Sequence, residues 1–362
     1  MDRKGIEKTK RNIRLLFYSI FSWVLAAGLY FLVRYFGTRD VADWNPHNYQ
    51  LLYIAGCLAC GALLGIAYWF TLLAEDSPVL RTKSYGFLMI VQGVLLVASV
   101  IVMVFFGKVF NLIFLRNITA VQLIPSFLEK LFDKKMLVIL LYVGIVAVLF
   151  SFIRQMTKMT GRRVLVNLLL GKYYHPKTED RIFMFLDITD STAIAERLGH
   201  ARSCRLIQDC WSDLTDSAIR HQVEIYQYVG DEAILTWKID DGVRDSNCIK
   251  VFFDFEEILR KKSALYKERY GVLPQFKAGV NAGAVTVAQV GVLKRDIAYI
   301  SDVLNTCARL EGKCKEFGRR ILVSGFLKKI LNDDAGLKYE LIGDINFKGK
   351  EGVVEVFSVE KV

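Results

Sequence analysis

Four apolar runs interrupt the polar background of the first half of the chain, at residues 15–33, 51–74, 86–107 and 136–153, and none contains a Lys, Arg, Asp or Glu. Each is long enough to cross a hydrocarbon layer of about 30 Å at about 1.5 Å of helical rise per residue. In lipid the backbone polar groups must be satisfied within the segment, so runs of this length read as helices rather than barrel strands. The first run is too long for a signal peptide and lacks a small-residue cleavage site, so it is expected to stay in place as a true span. The pattern predicts an all-α transmembrane bundle of four helices over residues 1–153. Residues 155–174 keep a helical pattern, apolar at Met156, Met159, Val164, Leu165, Leu168 and Leu169 with basic residues between. His175-Pro176 ends it, because proline cannot extend a helix and disfavours helix in the residue before it. The 154–176 stretch reads as a helical linker, either a spacer or a parallel two-helix junction; the apolar stripe needs a partner, which favours the junction.

From Arg181 the period changes to short β runs between longer helices. The pattern predicts a strand at 181–188, a helix at 202–221 and two β runs within 224–238 about a Gly230-Asp231 turn. A helix at 246–270, strands at 276–281, 284–290 and 297–300, a helix at 303–317 and a strand at 321–324 follow. This is an α+β domain over residues 177–362 with the order βαββαβ, the ferredoxin-like arrangement.

Charge changes the picture by where it lies. The 362 residues carry a net charge of +11 and a mean hydropathy of +0.31, which tempts one towards nucleic acid. By region, residues 1–153 hold 15 Lys+Arg against 8 Asp+Glu, residues 154–172 hold five against none, and residues 173–362 hold 28 against 29. The soluble half is nearly neutral, so a nucleic-acid-binding basic face there loses its main support and nucleic acid is not an expected partner. The basic residues flank the apolar runs, which by the positive-inside rule places both ends in the cytoplasm, with the chain a multi-pass protein of the plasma or inner membrane. Five basic residues in the 108–135 loop oppose that reading without outweighing it. That loop also carries Phe127, Leu128, Leu131 and Phe132, and reads as a helix lying on the bilayer surface.

Cys57 and Cys60 form a CxxC only by spacing and read as packing residues, since no His or second Cys pair stands near them in sequence. The four histidines, His47, His175, His200 and His221, show no metal or triad spacing. Two acids do stand out. Asp187 ends the apolar strand Ile182-Phe183-Met184-Phe185-Leu186, and Asp231 sits in a hairpin turn. In a βαββ order these elements are neighbours, so both carboxylates come to one end of the sheet, the usual protein contribution to Mg²⁺ bound with a nucleoside triphosphate. Alone, either residue reads equally well as a helix cap or a turn former.

Three blocks carry a family resemblance: FMFLDITDST at 183–192, YQYVGDEAILTW at 226–237 and DVLNTCARLE at 302–311. In that order and spacing they resemble the signature blocks of class III nucleotidyl cyclases. The resemblance implies a cyclase homology domain acting as a head-to-tail homodimer, each site built from both chains, with two Mg²⁺ or Mn²⁺ ions per site. It implies metal binding by Asp187, Ile188 and Asp231, a ribose-orienting Asn305, and an Arg309 that stabilises charge on the α-phosphate. Lys348 matches the lysine that contacts the terminal phosphates, and Thr189, Asp190, Ser191 and Thr192 match the loop that holds phosphate oxygens on its backbone N–H groups. Asp190 and Ser191 replace the usual glycine-aromatic pair there. Gln227 and Ala298 fall at the two base-reading positions and match neither the adenine-selecting nor the guanine-selecting pair. ATP is the expected substrate, with GTP open. A silent nucleotide-binding scaffold is the competing reading, and a diguanylate cyclase is disfavoured because Tyr228-Val229-Gly230-Asp231-Glu232 shares only GDE with that family's hairpin.

Overall fold

Long helices form where the apolar runs predict them: α1 (Arg3–Gly37), α2 (Gln50–Glu75), α3 (Tyr85–Phe110) and α5 (Lys134–Thr160), with the short α4 (Leu123–Phe132) before the last. The structure, a computed structural model, describes residues 3–37, 50–75, 83–110, 112, 120–161, 164, 166–167, 170–293, 295–332, 334–347 and 352–362. It divides into two compact units, Met1–Met159 and Thr160–Val362. In the first, Trp23 and Ala26 of α1, Leu64, Tyr68 and Leu72 of α2, Leu96 and Val100 of α3, and Met136, Val143 and Ala147 of α5 share one core. The outward positions are apolar too, with Phe17, Phe21, Val94 and Leu141 more than half exposed, the all-round hydrophobicity of helices that lie in lipid. Stretches Asn12–Val33, Ile54–Ala74, Tyr85–Val109 and Lys134–Met159 are long and apolar enough to cross a membrane. Buried Ser151 donates a hydrogen bond to the side-chain oxygen of buried Gln92, tying α5 to α3. Helix α4 buries none of its residues, and Phe127 on it packs edge-on against Phe105 of α3 at 5.5 Å between ring centroids.

The linker corrects the sequence reading. Helix α5 stops at Thr160, and Gly161 follows with φ +84°, a left-handed setting that breaks the helix. The expected continuous helix to Tyr174 is therefore interrupted. Leu165, Leu168 and Leu169 of its stripe lie outside the described residues. By Tyr173 the chain already belongs to the second unit: its ring is buried with Phe183, Val285 and Ile297, and its carbonyl accepts from the Gln289 N–H at 2.9 Å.

That second unit is built on a mixed sheet. Strands β1 (Lys177–Ile188), β2 (Glu224–Val229), β3 (Glu232–Lys238), β4 (Phe276–Val290), β6 (Ile321–Ser324), β7 (Leu337–Asn346) and β8 (Val353–Lys361) lie in the order β2-β3-β1-β4-β6-β8-β7, and β5 (Asp296–Ile300) pairs with β4. Strand β1 is central, which explains its unbroken apolar run. Ile182, Met184 and Leu186 face a core shared with Leu206, Phe252 and Phe255, while Phe183 and Phe185 face a second core with Val303 and Cys307. The first core is covered by α7 (His200–Arg220) and α9 (Asn247–Lys261), the second by α11 (Asp302–Lys313). Expected strands 276–281 and 284–290 are one strand, because β1 pairs with β4 from Lys177↔Val287 to Ile188↔Phe276 and carries it through Gly283. The expected 246–270 helix bends at Lys262 into α9 and α10 (Ser263–Tyr270), the short α8 (Ile239–Val243) follows β3, and α6 (Ser191–Leu198) precedes α7. Helix α11 ends at Lys313 rather than at 317.

Helix α11 sits directly on β4 at Gly279, where any side chain would overlap the Cys307 carbonyl oxygen and the Glu311 amide nitrogen. Gly279→Ala should therefore force the helix off the sheet, costing about 3 kcal/mol and lowering the melting temperature of the full-length protein by about 6–12 °C. Gly312→Ala, at an open helical position, should be neutral or slightly stabilising in the same thermal unfolding experiment.

Candidate active site

Strand pairing places the candidate acids. Asp187 is the last β1 residue paired with β3, opposite Glu232, and across its other edge it pairs with Lys277 of β4. Asp231 lies in the tight turn that joins β2 to β3, close enough that its charge acts on the Asp187 carboxyl. The two acids singled out in the sequence thus meet at one end of the sheet. Lys277 stands beside them, 3.1 Å from Asp187 and 2.5 Å from Glu311 at the end of α11.

Four carboxylates around one ammonium leave this corner short of positive charge. Burial, against the pull of Lys277 and with the charge of Asp231 adding to it, pushes the Asp187 carboxyl up to about 6. Burial together with Glu311, Asp187 and Asp231 pushes Glu232 up to about 7. Lys277 is pushed up to about 12: burial opposes its charge, but Glu311 and Asp187 more than compensate. A pair of neighbouring carboxylates under mutual repulsion is a fitting donor set for a hard divalent cation, and Mg²⁺ takes one or two carboxylates with phosphate and water oxygens completing its shell.

A cleft of about 680 Å³ opens from Asp187 along Ile188, Thr189, Asp190, Ser191 and Thr192, and Lys277, Lys315, Arg319 and Arg320 also line it. The loop enters α6 through Asp190, whose φ of +53° is a left-handed setting that Asp tolerates better than most residues. An aspartate thus adopts a backbone shape for which glycine is the usual choice. One expectation narrows here. The Thr189 N–H already donates to the Gln275 carbonyl at 2.9 Å, so the donors at the start of α6 are those of Asp190, Ser191 and Thr192. The Asp190 side chain pairs with Lys315 at 2.9 Å.

Asn305 and Arg309 do not join this cluster. Arg309 is two residues before Glu311, about 200° around the helix, so a helix whose Glu311 faces Lys277 turns Arg309 away. Among the described residues no ion pair links Arg309 to the cluster, and its half-buried guanidinium carries an Nη1 without a hydrogen-bond partner. Asn305 is exposed on the same side of α11. Gln227 lies on β2 just after a bulge, and Ala298 lies on β5. Their sequence neighbours Tyr226 and Tyr299 pack edge to face at 4.9 Å between ring centroids. Lys348 lies outside the described residues.

With this geometry in place, the likeness to known proteins is decisive. The adenylate and guanylate cyclase catalytic domain matches residues 173–361, more than half of the chain. The chain belongs to this cyclase family. Adenylate cyclase 2 of Rhizobium meliloti (strain 1021) is 34% identical over 208 residues, covering 58% of this chain and 57% of that protein. Adenylate cyclase 1 of the same organism is 25% identical over 181 residues, covering 49% and 27%. The chain therefore matches only part of the length of these relatives. A bacterial light-regulated adenylyl cyclase has the same fold, with a TM-score of 0.53 at 19% identity over 63% of this chain and 66% of that one.

Lys277, Glu232 and Glu311 were missed in the sequence. The available signal was Lys277 itself, the one charged residue in the otherwise uncharged stretch 276–290. Lys277→Met should leave Asp187 and Glu311 facing each other without a cation, at a cost of about 2 kcal/mol given the partial exposure of the group. Carboxyls whose folded pKa is raised stabilise the fold only while protonated, so this loss should grow as pH rises through about 6 and shrink below it. Urea unfolding of the variant and parent chain at pH 5.5 and pH 8 measures the difference.

Proposed function

We propose that the protein is a membrane-anchored adenylate cyclase that converts ATP to 3′,5′-cyclic AMP and pyrophosphate in a site shared by two copies of the chain. The observation that carries this reading is the division of the site: Asp187 and Asp231 at the sheet edge, and Arg309 turned away from them with an unpartnered Nη1. A second chain is the natural source of the missing half for each. Bound there, two Mg²⁺ or Mn²⁺ ions would be held by Asp187, Asp231 and the Ile188 carbonyl, neutralising the triphosphate and acidifying the ribose 3′-hydroxyl.

The chain's own residues do the rest. N–H groups opening α6 at Asp190 to Thr192 point their donors at phosphate oxygens. Lys277, Lys315, Arg319 and Arg320 line the same cleft and offset triphosphate charge. From the partner copy, Asn305 would orient the ribose, and Arg309, always protonated, would meet the charge that builds on the α-phosphate only as the bond to the leaving pyrophosphate breaks. Gln227 both donates and accepts, and Ala298 offers only shape, so base choice rests on the fit of the pocket. The likeness to chains called adenylate cyclase supports ATP.

Anchoring by four spans, with both ends cytoplasmic, is supported by the basic residues that flank them. The full-length protein in membranes should form cyclic AMP from ATP in the presence of Mg²⁺ or Mn²⁺, with GTP at least about 10-fold poorer. Asp187→Asn should lower that rate by a factor of about 1,000 or more while membrane insertion is unchanged. Cyclic product quantified with each triphosphate checks both. Preference for GTP would reassign the substrate, and unchanged turnover by the variant would remove Asp187 from the site.

A further inference from the structure

Strands β2 and β5 carry the two base-reading positions, Gln227 and Ala298. Among the described residues β2 pairs with β3 and β5 with β4, so no ladder hydrogen bonds set the distance between β2 and β5. Side chains span that gap instead. The Tyr226 and Tyr299 rings meet edge to face, and Phe183 of β1 packs edge-on against both, at 6.4 and 5.2 Å between centroids. Tyr226 is the extra residue of the β2 bulge and immediately precedes Gln227, while Tyr299 immediately follows Ala298.

Against these rings lies a buried cation that the proposed chemistry leaves unused. Arg181 of β1 is 2% exposed. Its Nε donates to Glu179 of the same strand at 3.1 Å and its Nη1 to Glu224 of β2 at 3.0 Å. Its guanidinium carbon lies 4.9 Å from the centre of the Tyr299 ring on β5. Glu179 in turn accepts from the Lys172 ammonium at 3.1 Å and from the Tyr173 hydroxyl at 2.9 Å. One planar fork thus touches three strands. A buried ion pair adds little stability over apolar residues of the same volume, but a rigid guanidinium that donates in two directions and lies on a ring fixes geometry.

We infer that Arg181 is a positioning residue for the nucleotide base: it clamps β2 to β5 and so sets the separation of the strands that carry Gln227 and Ala298. The inference rests on the cyclase reading and deepens it, because it names what gives that site its hold on the base. Gln227 is exposed and Ala298 has no polar side-chain group, so their own contacts do not anchor them and the clamp does. Arg181 and Asp187 are separated by about 20 Å of strand, which leaves the metal-binding corner outside its reach. Loosening the clamp weakens what the base contributes to binding and spares what the phosphates contribute.

The test compares the full-length protein in membranes with three variants. Glu224→Gln cuts the clamp on its β2 side and leaves Arg181 with Glu179 and Tyr299; Arg181→Met removes it, and Arg181→Lys keeps the charge without the fork. In Glu224→Gln the KM for ATP should rise about 10-fold, the effect of about one lost hydrogen bond, with kcat changed by less than about 2-fold. The parent's preference between ATP and GTP should shrink by a similar factor. Arg181→Lys should fall between the parent and Arg181→Met, and if Arg181→Met does not fold, Glu224→Gln decides alone. Inhibition by inorganic tripolyphosphate, which has no base, should match the parent. An unchanged KM and base preference in Glu224→Gln, or equal losses of ATP and tripolyphosphate affinity, would overturn the inference. A parent chain that turns over neither triphosphate would instead overturn the cyclase reading on which it rests.

Discussion

The ammonium of Lys277, set between Asp187 and Glu311, is the interaction on which the catalytic unit depends. It joins the central strand, its neighbour and helix α11 at the one corner where carboxylates gather. Removing the ammonium would leave two partly buried carboxylates without their counterion. With Gly279 allowing the helix to rest on the strand, the ion pair also fixes the rotation of α11. That rotation decides which residues face home and which face out: Glu311 meets the chain's own acids, and Asn305 and Arg309 are presented to something else. A cleft that holds the acids and leaves Arg309 turned away from them follows from a single helix setting. In the proposed homodimer, two such halves related by a two-fold axis would supply each other.

The membrane unit solves a different problem with different means. In lipid there is no water to drive helices together, so packing and a few polar contacts must suffice. Gly61 and Gly65 let α2 approach the backbone of α1, and the Gln92–Ser151 hydrogen bond ties α3 to α5.

Much of this was legible in the sequence because the signals were long or repeated. Runs of about 20 uncharged residues have only one common structural meaning. The apolar strand ending in Asp187 and the Gly-Asp turn at 230–231 marked two strand ends that the topology then brought together. What failed to read was local or long-range. Gly161 lay inside an otherwise helical pattern and broke it, a backbone setting that apolar spacing does not report. Asn281 to Gly283 looked like a strand break, but pairing with β1 held the chain extended. Lys277 stood out as the one charged residue of its strand, but its role, like that of Glu311, depends on three-dimensional neighbours that the sequence does not name.

The central claim is that the acids of one chain work with the arginine of another, and mixing two inactive full-length variants tests it most directly. Asp231→Asn chains and Arg309→Ala chains should each be nearly silent alone. Co-assembled at equal amounts they should recover about one quarter of the parent rate of cyclic AMP formation, since half of randomly paired dimers are mixed and each holds one intact site. Absence of any recovery in mixtures shown to contain mixed dimers would contradict the account and place all of the catalytic groups within one chain.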